Sequence, residues 1–203
     1  MTQSVEFLFD FASPNAYLAH KALPALLERT SASLVLTPCL LGGIFKATGN
    51  KPPFVAFEGV PQKLAYERKE IERFIIKHGL MSFKMNSHFP VNTLLMMRAA
   101  MVAERDGFLP EYVEAGLSCL WEKDLKMDDA EVFKNAMDAA GFDGAALLQD
   151  SQSPDIKAAL AANTAQAVER GVFGIPSFFV GSELFFGKER LGQVEELLSA
   201  SHS

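Results

Sequence analysis

The first forty residues contain the pattern that most restricts the fold of this chain. Val5 to Phe9 (VEFLF) is a run of β-branched and aromatic residues, which predicts a strand. Ser13 and Pro14 suit the N-cap and the first position of a helix, which we expect to run to about Arg29. Ser33 to Thr37 (SLVLT) predicts a second strand. A strand, a helix and a strand within so short a stretch predict a βαβ unit with two parallel strands.

The C-terminal end of the chain predicts a second β-rich segment. Ser177 to Val180 (SFFV) and Glu183 to Phe186 (ELFF) flank Gly181-Ser182, and a two-residue Gly-Ser connection is typical of a hairpin. A last helix is expected from about Lys188 to Ser199. We predict that the two β-rich ends form one sheet, so that the element order is βαβ, a helical block, then ββα.

The middle of the chain predicts a loop followed by helices. Leu40 to Pro61 is rich in glycine and proline and is interpreted as a long loop, a kind of segment that is often functional inside a compact domain. From about Gln62 to Arg170, apolar residues recur at helical spacing with charges between them. We therefore expect residues 1–40 and 172–203 to form one discontinuous domain, with the loop and an inserted helical domain over residues 41–171.

Composition is typical of a soluble globular protein. The chain has 203 residues, of which 49% are hydrophobic and 22% charged, and this length is enough for one sizeable core. The net charge of -6, without a block of like charge, argues against a nucleic-acid partner. The beginning, MTQSVEFLFD, lacks the features of a signal peptide, and the longest uncharged run is too short to span a bilayer. We therefore expect a cytoplasmic protein without a membrane partner.

Several kinds of catalytic site lose support from the sequence. It contains no GxGxxG, GxxxxGK[ST], HExxH or GxSxG motif, and its four histidines form no close ligand pair. We therefore predict neither a metal site nor a dinucleotide site. Cys39 and Cys119 form no CxxC and no metal-type spacing, and we interpret them as two buried thiols in a reducing compartment.

Ser13 is the first candidate for a functional side chain. Its hydroxyl is expected at the end of the first strand and the start of the first helix. Free N–H groups and the helix dipole at such a position favour a nearby anion, and a thiolate is one such anion. The alternative interpretation is an ordinary Ser-Pro helix cap, which the residues alone do not exclude.

Ile175-Pro176, just before the third predicted strand, is the second candidate. Proline is permitted at the start of a strand. A cis bond at this position would leave the backbone of Ile175 free to pair with an extended ligand. The low frequency of cis bonds before proline, taken alone, predicts a trans bond.

These features together resemble the thioredoxin fold in its DsbA variant, whose redox motif is Cys-Pro-x-Cys. The corresponding residues are Ser13 to Ala16 (SPNA), which contain no thiol, so disulfide exchange is not expected at this position. Serine in the first position resembles the kappa-class glutathione transferases and, more closely, their bacterial relatives, the 2-hydroxychromene-2-carboxylate isomerases. Four motifs in order carry this resemblance: Asp10 to Tyr17, Leu41 to Asn50, Phe89 to Thr93, and Phe173 to Ser177.

The resemblance implies an α/β thioredoxin-like fold with a large helical insertion, and glutathione as the cofactor. Ser13 would be the catalytic residue, because its hydroxyl would donate a hydrogen bond to the glutathione sulfur and favour the thiolate. Ile175, before a cis Pro176, would pair with the cysteinyl backbone of glutathione. The remaining glutathione-binding residues would be Asn50 and, around the γ-glutamyl end, Lys188, Glu189 and Arg190.

The resemblance also implies a small aromatic hydroxy-acid as the substrate. The residues expected in or near its pocket are Lys46, Asn86, His88 and Asn92. Each has a simpler alternative: a solvated charge for Lys46, and capping of a loop or helix for the other three. Asn50 has the same kind of alternative, because it could serve only a turn.

The resemblance implies a glutathione-dependent isomerase that converts 2-hydroxychromene-2-carboxylate to trans-o-hydroxybenzylidenepyruvate in naphthalene-type aromatic catabolism. The thiolate would add reversibly to the substrate, so that glutathione is not consumed. One alternative is a kappa-type transferase that conjugates glutathione to electrophiles. Another is a redox-inactive DsbA-like domain that binds peptides. A homodimer is expected from the same resemblance.

Overall fold

A computed structural model describes residues 3–200, in which four strands form one sheet of order β2-β1-β3-β4. The strands are β1 Ser4–Phe9, β2 Ser33–Pro38, β3 Ser177–Val180 and β4 Glu183–Phe186. β1 pairs with β2 in parallel and with β3 antiparallel, and β3 pairs antiparallel with β4. The predicted βαβ unit, the hairpin and the single sheet formed by both ends of the chain are therefore confirmed.

Helices occupy most of the chain between β2 and β3. Helix α1, Pro14–Thr30, joins the two parallel strands. The other helices are α2 Leu41–Thr48, α3 Pro53–Ala56, α4 Pro61–His78, α5 Leu94–Asp106, α6 Leu109–Trp121, α7 Ala130–Ala139, α8 Gly144–Asp150, α9 Pro154–Glu169 and α10 Leu191–Ala200. The predicted last helix is divided, because a short 3-10 turn over Lys188–Arg190 precedes α10.

The predicted loop over Leu40 to Pro61 is wrong, because α2 and α3 lie within it. Its glycines serve helix packing as well as turns. A Cβ atom on Gly43 would lie 2.9 Å from Cγ2 of Thr164 in α9, so glycine allows α2 to approach α9 closely. The backbone N–H of Leu40 donates to Oγ1 of the same Thr164 at 3.0 Å, which fixes the start of α2 on α9.

The sheet and the helices share one hydrophobic core. All four residues of β3 are buried, and β1 buries its apolar residues from Phe7 to Phe9 completely. The rings of Phe7 and Phe178 stack across the two strands at 5.3 Å between centroids. Buried apolar side chains from α1, α5, α6 and α9 belong to the same cluster as those of the sheet. The inserted helices are thereby packed directly onto the strands that carry the candidate site.

Within residues 3–200, no helix has the length and apolar character needed to cross a membrane.

Candidate active site

The Ser13 hydroxyl joins the start of α1 to the segment before β3. Its oxygen accepts a hydrogen bond from the backbone N–H of Ala16 at 3.2 Å, and its proton is donated to the carbonyl oxygen of Ile175 at 3.2 Å. The Ile175-Pro176 bond is cis, so the expectation of a trans bond from frequency alone is wrong. Ser13 is only 5% exposed. The two candidate segments of the sequence therefore meet at one hydroxyl, which is also the helix cap.

Asp10 is a buried carboxylate three residues before Ser13, and it connects three parts of the chain. It accepts hydrogen bonds from the backbone N–H groups of Ala12 at 2.9 Å and Leu41 at 2.7 Å, and from the hydroxyl of Thr93 at 2.6 Å. Burial raises the pKa of the Asp10 carboxyl above its usual value, against the opposing effect of these hydrogen bonds. Asp10 thereby holds the end of β1 to the starts of α2 and α5.

Asn50, just beyond α2, reaches the segment before the cis proline. Its side-chain amide donates to the carbonyl oxygen of Phe173 at 2.8 Å, while its side-chain oxygen accepts from the backbone N–H of Lys51 at 2.8 Å. Asn50 therefore both supports a turn and connects α2 to the strand segment. Lys46 lies exposed in the last turn of α2, and its ammonium forms no ion pair with any residue in the described range.

The 3-10 turn before α10 is attached directly to the cis proline. The backbone N–H of Gly187 donates to the carbonyl oxygen of Pro176 at 2.9 Å. The side chain of Lys188 is 1% exposed, and its ammonium pairs with the carboxylate of Glu189. It also lies 5.5 Å from the centre of the Phe74 ring. Lys188, which the resemblance names as a glutathione-binding residue, is therefore a buried support for the carboxylate of Glu189.

Arg190 and two aromatic rings form an open cleft beside this turn. The cleft has a volume of about 360 Å³ and includes Phe173, Phe186 and Arg190. The two rings contact each other with centroids 4.5 Å apart, and their exposed fractions are 42% and 41%. An apolar wall and an exposed guanidinium thus lie next to the cis Ile175-Pro176 bond.

The side chain of Asn86 is used within its own loop. Its amide group donates to the carbonyl oxygens of Leu120 at 2.8 Å and Leu125 at 3.0 Å, and its oxygen accepts from the backbone N–H of His88 at 2.8 Å. Asn86 is 3% exposed. These contacts match the capping alternative, and they give no support to a direct contact between Asn86 and a substrate.

Among the described residues, Ser13 forms no hydrogen bond with either His88 or Asn92. Both residues are exposed. The side-chain oxygen of Asn92 accepts from the backbone N–H of Leu94, at the start of α5, at 3.1 Å. The capping alternative for Asn92 therefore matches the observed contact.

An aromatic cluster beside the Ser13 segment was not predicted from the sequence. The indole N–H of Trp121 donates to the carbonyl oxygen of Phe11, two residues before Ser13, at 2.9 Å. The ring of Phe89 lies 6.2 Å from that indole and 5.8 Å from the half-exposed ring of Phe54. These rings give the region an apolar wall that no local sequence pattern reveals, because its members come from distant segments.

Neither cysteine is suited to act as a nucleophile, which agrees with the interpretation of buried thiols. Cys39 and Cys119 are both buried and free. Burial raises the pKa of Cys39 to about 12, and it also raises the pKa of Cys119. At neutral pH both remain protonated. Among residues 3–200 no group of three or more histidine, cysteine or acidic side chains is arranged to hold a metal ion.

Comparisons with known proteins show the same fold. The sequence model of the DSBA-like thioredoxin domain matches residues 4–199. A solved structure of a 2-hydroxychromene-2-carboxylate isomerase superposes with a TM-score of 0.84 at 24% identity, covering 98% of this chain and 95% of that one. A probable DsbA oxidoreductase from Streptomyces coelicolor superposes with a TM-score of 0.72 at 17% identity, covering 98% and 89%. The expected thioredoxin-like fold with a helical insertion is therefore confirmed.

Two curated relatives cover nearly the whole chain. A 2-hydroxychromene-2-carboxylate isomerase from Sphingobium xenophagum is 28% identical over 98% of this chain and 99% of its own length. The glutathione S-transferase kappa 1 of Homo sapiens is 26% identical over 98% of this chain and 92% of its own length. The resemblance inferred from the four sequence motifs is confirmed, since both groups of relatives named there are found.

Proposed function

The chain belongs to the DsbA-like thioredoxin domain family, and from this premise we propose that it is a glutathione-dependent isomerase of 2-hydroxychromene-2-carboxylate. Its relatives are isomerases and glutathione transferases. The observation that carries the proposal is the Ser13 hydroxyl, which contacts the carbonyl oxygen of Ile175 at 3.2 Å. By its resemblance to the Cys-Pro-x-Cys motif, Ser13 would take the place of the first thiol of the fold's redox enzymes. A serine at this position could still donate a hydrogen bond to a bound thiolate, but it has no sulfur and cannot take part in disulfide exchange.

Ser13 would stabilise the thiolate of bound glutathione. Its proton now goes to the carbonyl oxygen of Ile175, and in the proposed complex rotation about the Cβ–Oγ bond directs it to the sulfur. A hydrogen bond to the charged form lowers the pKa of a thiol, which is about 8.5 when free. The N-terminus of α1 favours the same negative charge.

The rest of glutathione would follow the cis-proline segment. In the proposed complex the backbone of Ile175 pairs with the cysteinyl residue, and the γ-glutamyl end lies at the turn joined to Pro176 through Gly187. Glu189 is 46% exposed and suits the ligand's amino group, whereas the buried ammonium of Lys188 would orient Glu189 rather than touch the ligand. Arg190 lies at the surface and suits a carboxylate.

The proposed reaction needs only reversible addition of the thiolate. A carbon–sulfur bond forms at the electrophilic carbon of the ring-opened substrate, and the double bond becomes single as its electrons move to the conjugated carbonyl. Rotation about this single bond is followed by expulsion of the thiolate, which restores the double bond in the trans geometry. Glutathione is regenerated. The exposed ammonium of Lys46 would hold the substrate carboxylate, with His88 and Asn92 as further candidates at the surface.

A kappa-type transferase is the second candidate function, because the human kappa 1 transferase is nearly as similar to this chain as the isomerase is. It would use the same thiolate, but sulfur would remain attached to the product. A redox-inactive DsbA-like peptide-binding domain is the third. It would need no specific site for glutathione.

The proposal includes a homodimer in a reducing cytoplasm. Both thiols are buried and free, which suits such a compartment. Sedimentation velocity measures the oligomeric state, and a species of twice the chain mass is expected. A species of single chain mass at all protein concentrations would contradict the dimer without affecting the proposed chemistry.

The proposed function is tested by following 2-hydroxychromene-2-carboxylate in the ultraviolet, with and without glutathione. Conversion to trans-o-hydroxybenzylidenepyruvate only when glutathione is present, without net loss of thiol, is expected. Stoichiometric loss of thiol would favour the transferase. If equilibrium dialysis detected no glutathione binding, the redox-inactive peptide-binding domain would be the only one of the three candidate functions that remains.

A further inference from the structure

A second cleft lies between α2, α5 and α9. Its volume is about 370 Å³, at the lower end of the range for small-molecule sites. Apolar side chains from all three helices line it: Leu40, Ala47, Leu94, Leu160 and Val168. None of the residues proposed to hold glutathione or the aromatic substrate lines this cleft. It is therefore separate from the site at Ser13.

Two cations without partners adjoin the apolar wall. Arg98 of α5 and Lys157 of α9 line the cleft and are half-buried. Within residues 3–200 neither side chain forms a hydrogen bond or an ion pair. Arg29 and Arg170, by contrast, pair with Glu195 and Glu6. Both cations in the cleft are therefore available to pair with an anionic ligand.

The floor of the cleft is held in a fixed shape. The backbone N–H of Leu40 donates to Oγ1 of Thr164 at 3.0 Å, and the same hydroxyl donates to the carbonyl oxygen of Leu160 at 2.7 Å. Gly43 brings α2 so close that a Cβ atom there would lie 2.9 Å from Cγ2 of Thr164. A pre-formed cavity loses little entropy when a ligand enters it.

We propose that this cleft binds a small organic carboxylate whose apolar body is about the size of a bicyclic ring. The carboxylate pairs with Arg98 and Lys157, and the apolar body lies against the leucines. Guanidinium and ammonium groups form their strongest hydrogen bonds with anionic oxygens, and partial burial strengthens those bonds relative to water. An apolar wall with a few polar groups at one end fixes the orientation of such a ligand.

The test uses the full chain and 1-naphthoate as the probe. Chemical shifts of backbone amides and methyl groups are followed by NMR during the titration. Saturable shifts are expected at Ala161, Thr164 and Ala165 of α9, with smaller changes at Ser13 and Ile175. The uncharged analogue 1-naphthalenemethanol is expected to bind at least fivefold more weakly, because it cannot pair with the two cations.

Variants separate the charges from the apolar cavity. Arg98→Gln and Lys157→Gln are each expected to weaken naphthoate binding about fivefold to tenfold. Lys123→Gln changes an exposed lysine outside the cleft and is the matched control, with unchanged affinity. Ala161→Phe keeps both cations but places a ring in the cleft, and it is expected to abolish binding. The dispersion of the NMR spectrum shows whether each variant is folded.

Any one of the following results would overturn this proposal. One is the absence of saturable shifts on α9. Another is a set of shifts confined to Ser13 and Ile175, which would place the probe in the glutathione site. A third is equal affinity for the acid and the alcohol, and a fourth is unchanged naphthoate affinity in both cation variants. Naphthoate is titrated without glutathione, so a negative result in this titration does not bear on the proposed isomerase activity. Likewise, a failure of the isomerase test does not bear on ligand binding in this cleft.

Discussion

The Ser13 hydroxyl has one proton and two lone pairs to share among three groups. It accepts from the backbone N–H of Ala16 and donates to the carbonyl of Ile175. A hydroxyl keeps its role as acceptor when its proton rotates to another partner. Ser13 can therefore continue to cap α1 while it donates to a sulfur. This is why the cap and the proposed catalytic role are compatible in one residue.

The resemblance placed Ser13 and Ile175 in one glutathione site, but neither it nor the residue patterns predicted their direct hydrogen bond or the role of Asp10. Asp10 belongs to a motif that resembles the family, yet no local pattern says that its partners are Leu41 and Thr93, which come from other parts of the chain. Asn86 illustrates the converse. Its residue type and position suggested a ligand contact, whereas its three hydrogen bonds are all to backbone groups.

Asp10→Asn is expected to lower the free energy of unfolding by about 1–3 kcal/mol. The two carboxylate oxygens accept from three donors, and an amide offers only one oxygen, so at least one buried donor loses its partner. Urea denaturation at neutral pH measures the change. Asp143→Asn is the matched control, because Asp143 caps α8 at the surface and asparagine caps equally well. Equal stability of the two variants would contradict the connecting role of Asp10.

At the scale of elements, helices and strands with strong periodic patterns were predictable, and α2 was not. Glycine and proline between Leu40 and Pro61 were interpreted as loop signals. Gly43 instead lies within α2, where a side chain would collide with Thr164, a residue far away in the sequence. At this position the packing of α2 against α9 outweighs the local preference of glycine for a loop.

Helices α7 and α8 approach each other closely at Gly144. A Cβ atom on Gly144 would lie 2.3 Å from the backbone oxygen of Lys134, so a side chain there forces the two helices apart. Gly144→Ala is expected to lower the free energy of unfolding by about 1–3 kcal/mol. In α10 a Cβ atom on Gly192 meets nothing within 4 Å, and Gly192→Ala is expected to stabilise the chain by up to about 1 kcal/mol. Urea denaturation measures the free energy of unfolding of both variants. If Gly192→Ala destabilised the chain and Gly144→Ala did not, the close contact inferred at Gly144 would be contradicted.

At the scale of the whole molecule, charged contacts join the βαβ unit to the inserted helices. Glu114 of α6 contacts the imidazole of His20 in α1 at 3.1 Å and also pairs with Lys21. The hydrogen bond from His20 is the largest influence on Glu114, and with Lys21 it lowers the pKa of that carboxyl from its usual 4.5 to about 2, against the opposing effect of burial. Ionised Glu114 therefore stabilises the folded chain above pH 4.5, and this contribution is lost as the pH falls through about 2.

Glu114→Gln is accordingly expected to reduce stability at pH 7 and to have progressively less effect between pH 4.5 and 2. The side chain of Glu114 is 52% exposed, so solvent screening limits the reduction to less than about 1 kcal/mol. Urea denaturation at a series of pH values measures it. Glu58→Gln removes an exposed carboxylate that forms no ion pair in the described chain, and it is the matched control. If the stability difference between Glu114→Gln and the unmodified chain grew as the pH fell, the lowered pKa of Glu114 would be contradicted.

In the proposed function the Ser13 hydroxyl stabilises a glutathione thiolate, and Ser13→Ala tests this role. This variant also removes the cap of α1, which alone costs about 0.5–2 kcal/mol of stability. Ser153→Ala is the matched control, because Ser153 caps α9 through its contact with the backbone N–H of Ile156 at 3.3 Å. The two variants are expected to lose similar stability. A difference between them in the pKa of bound glutathione is therefore due to the loss of the hydroxyl at Ser13.

The most direct measurement is the pKa of the bound glutathione thiol, followed by ultraviolet absorbance of the thiolate in a pH titration at saturating protein. In the unmodified chain and in Ser153→Ala the pKa is expected below the free value of about 8.5. In Ser13→Ala it is expected to rise by about 1–2 units, which corresponds to the loss of one hydrogen bond to a charged group. An identical bound pKa in all three proteins would contradict the account.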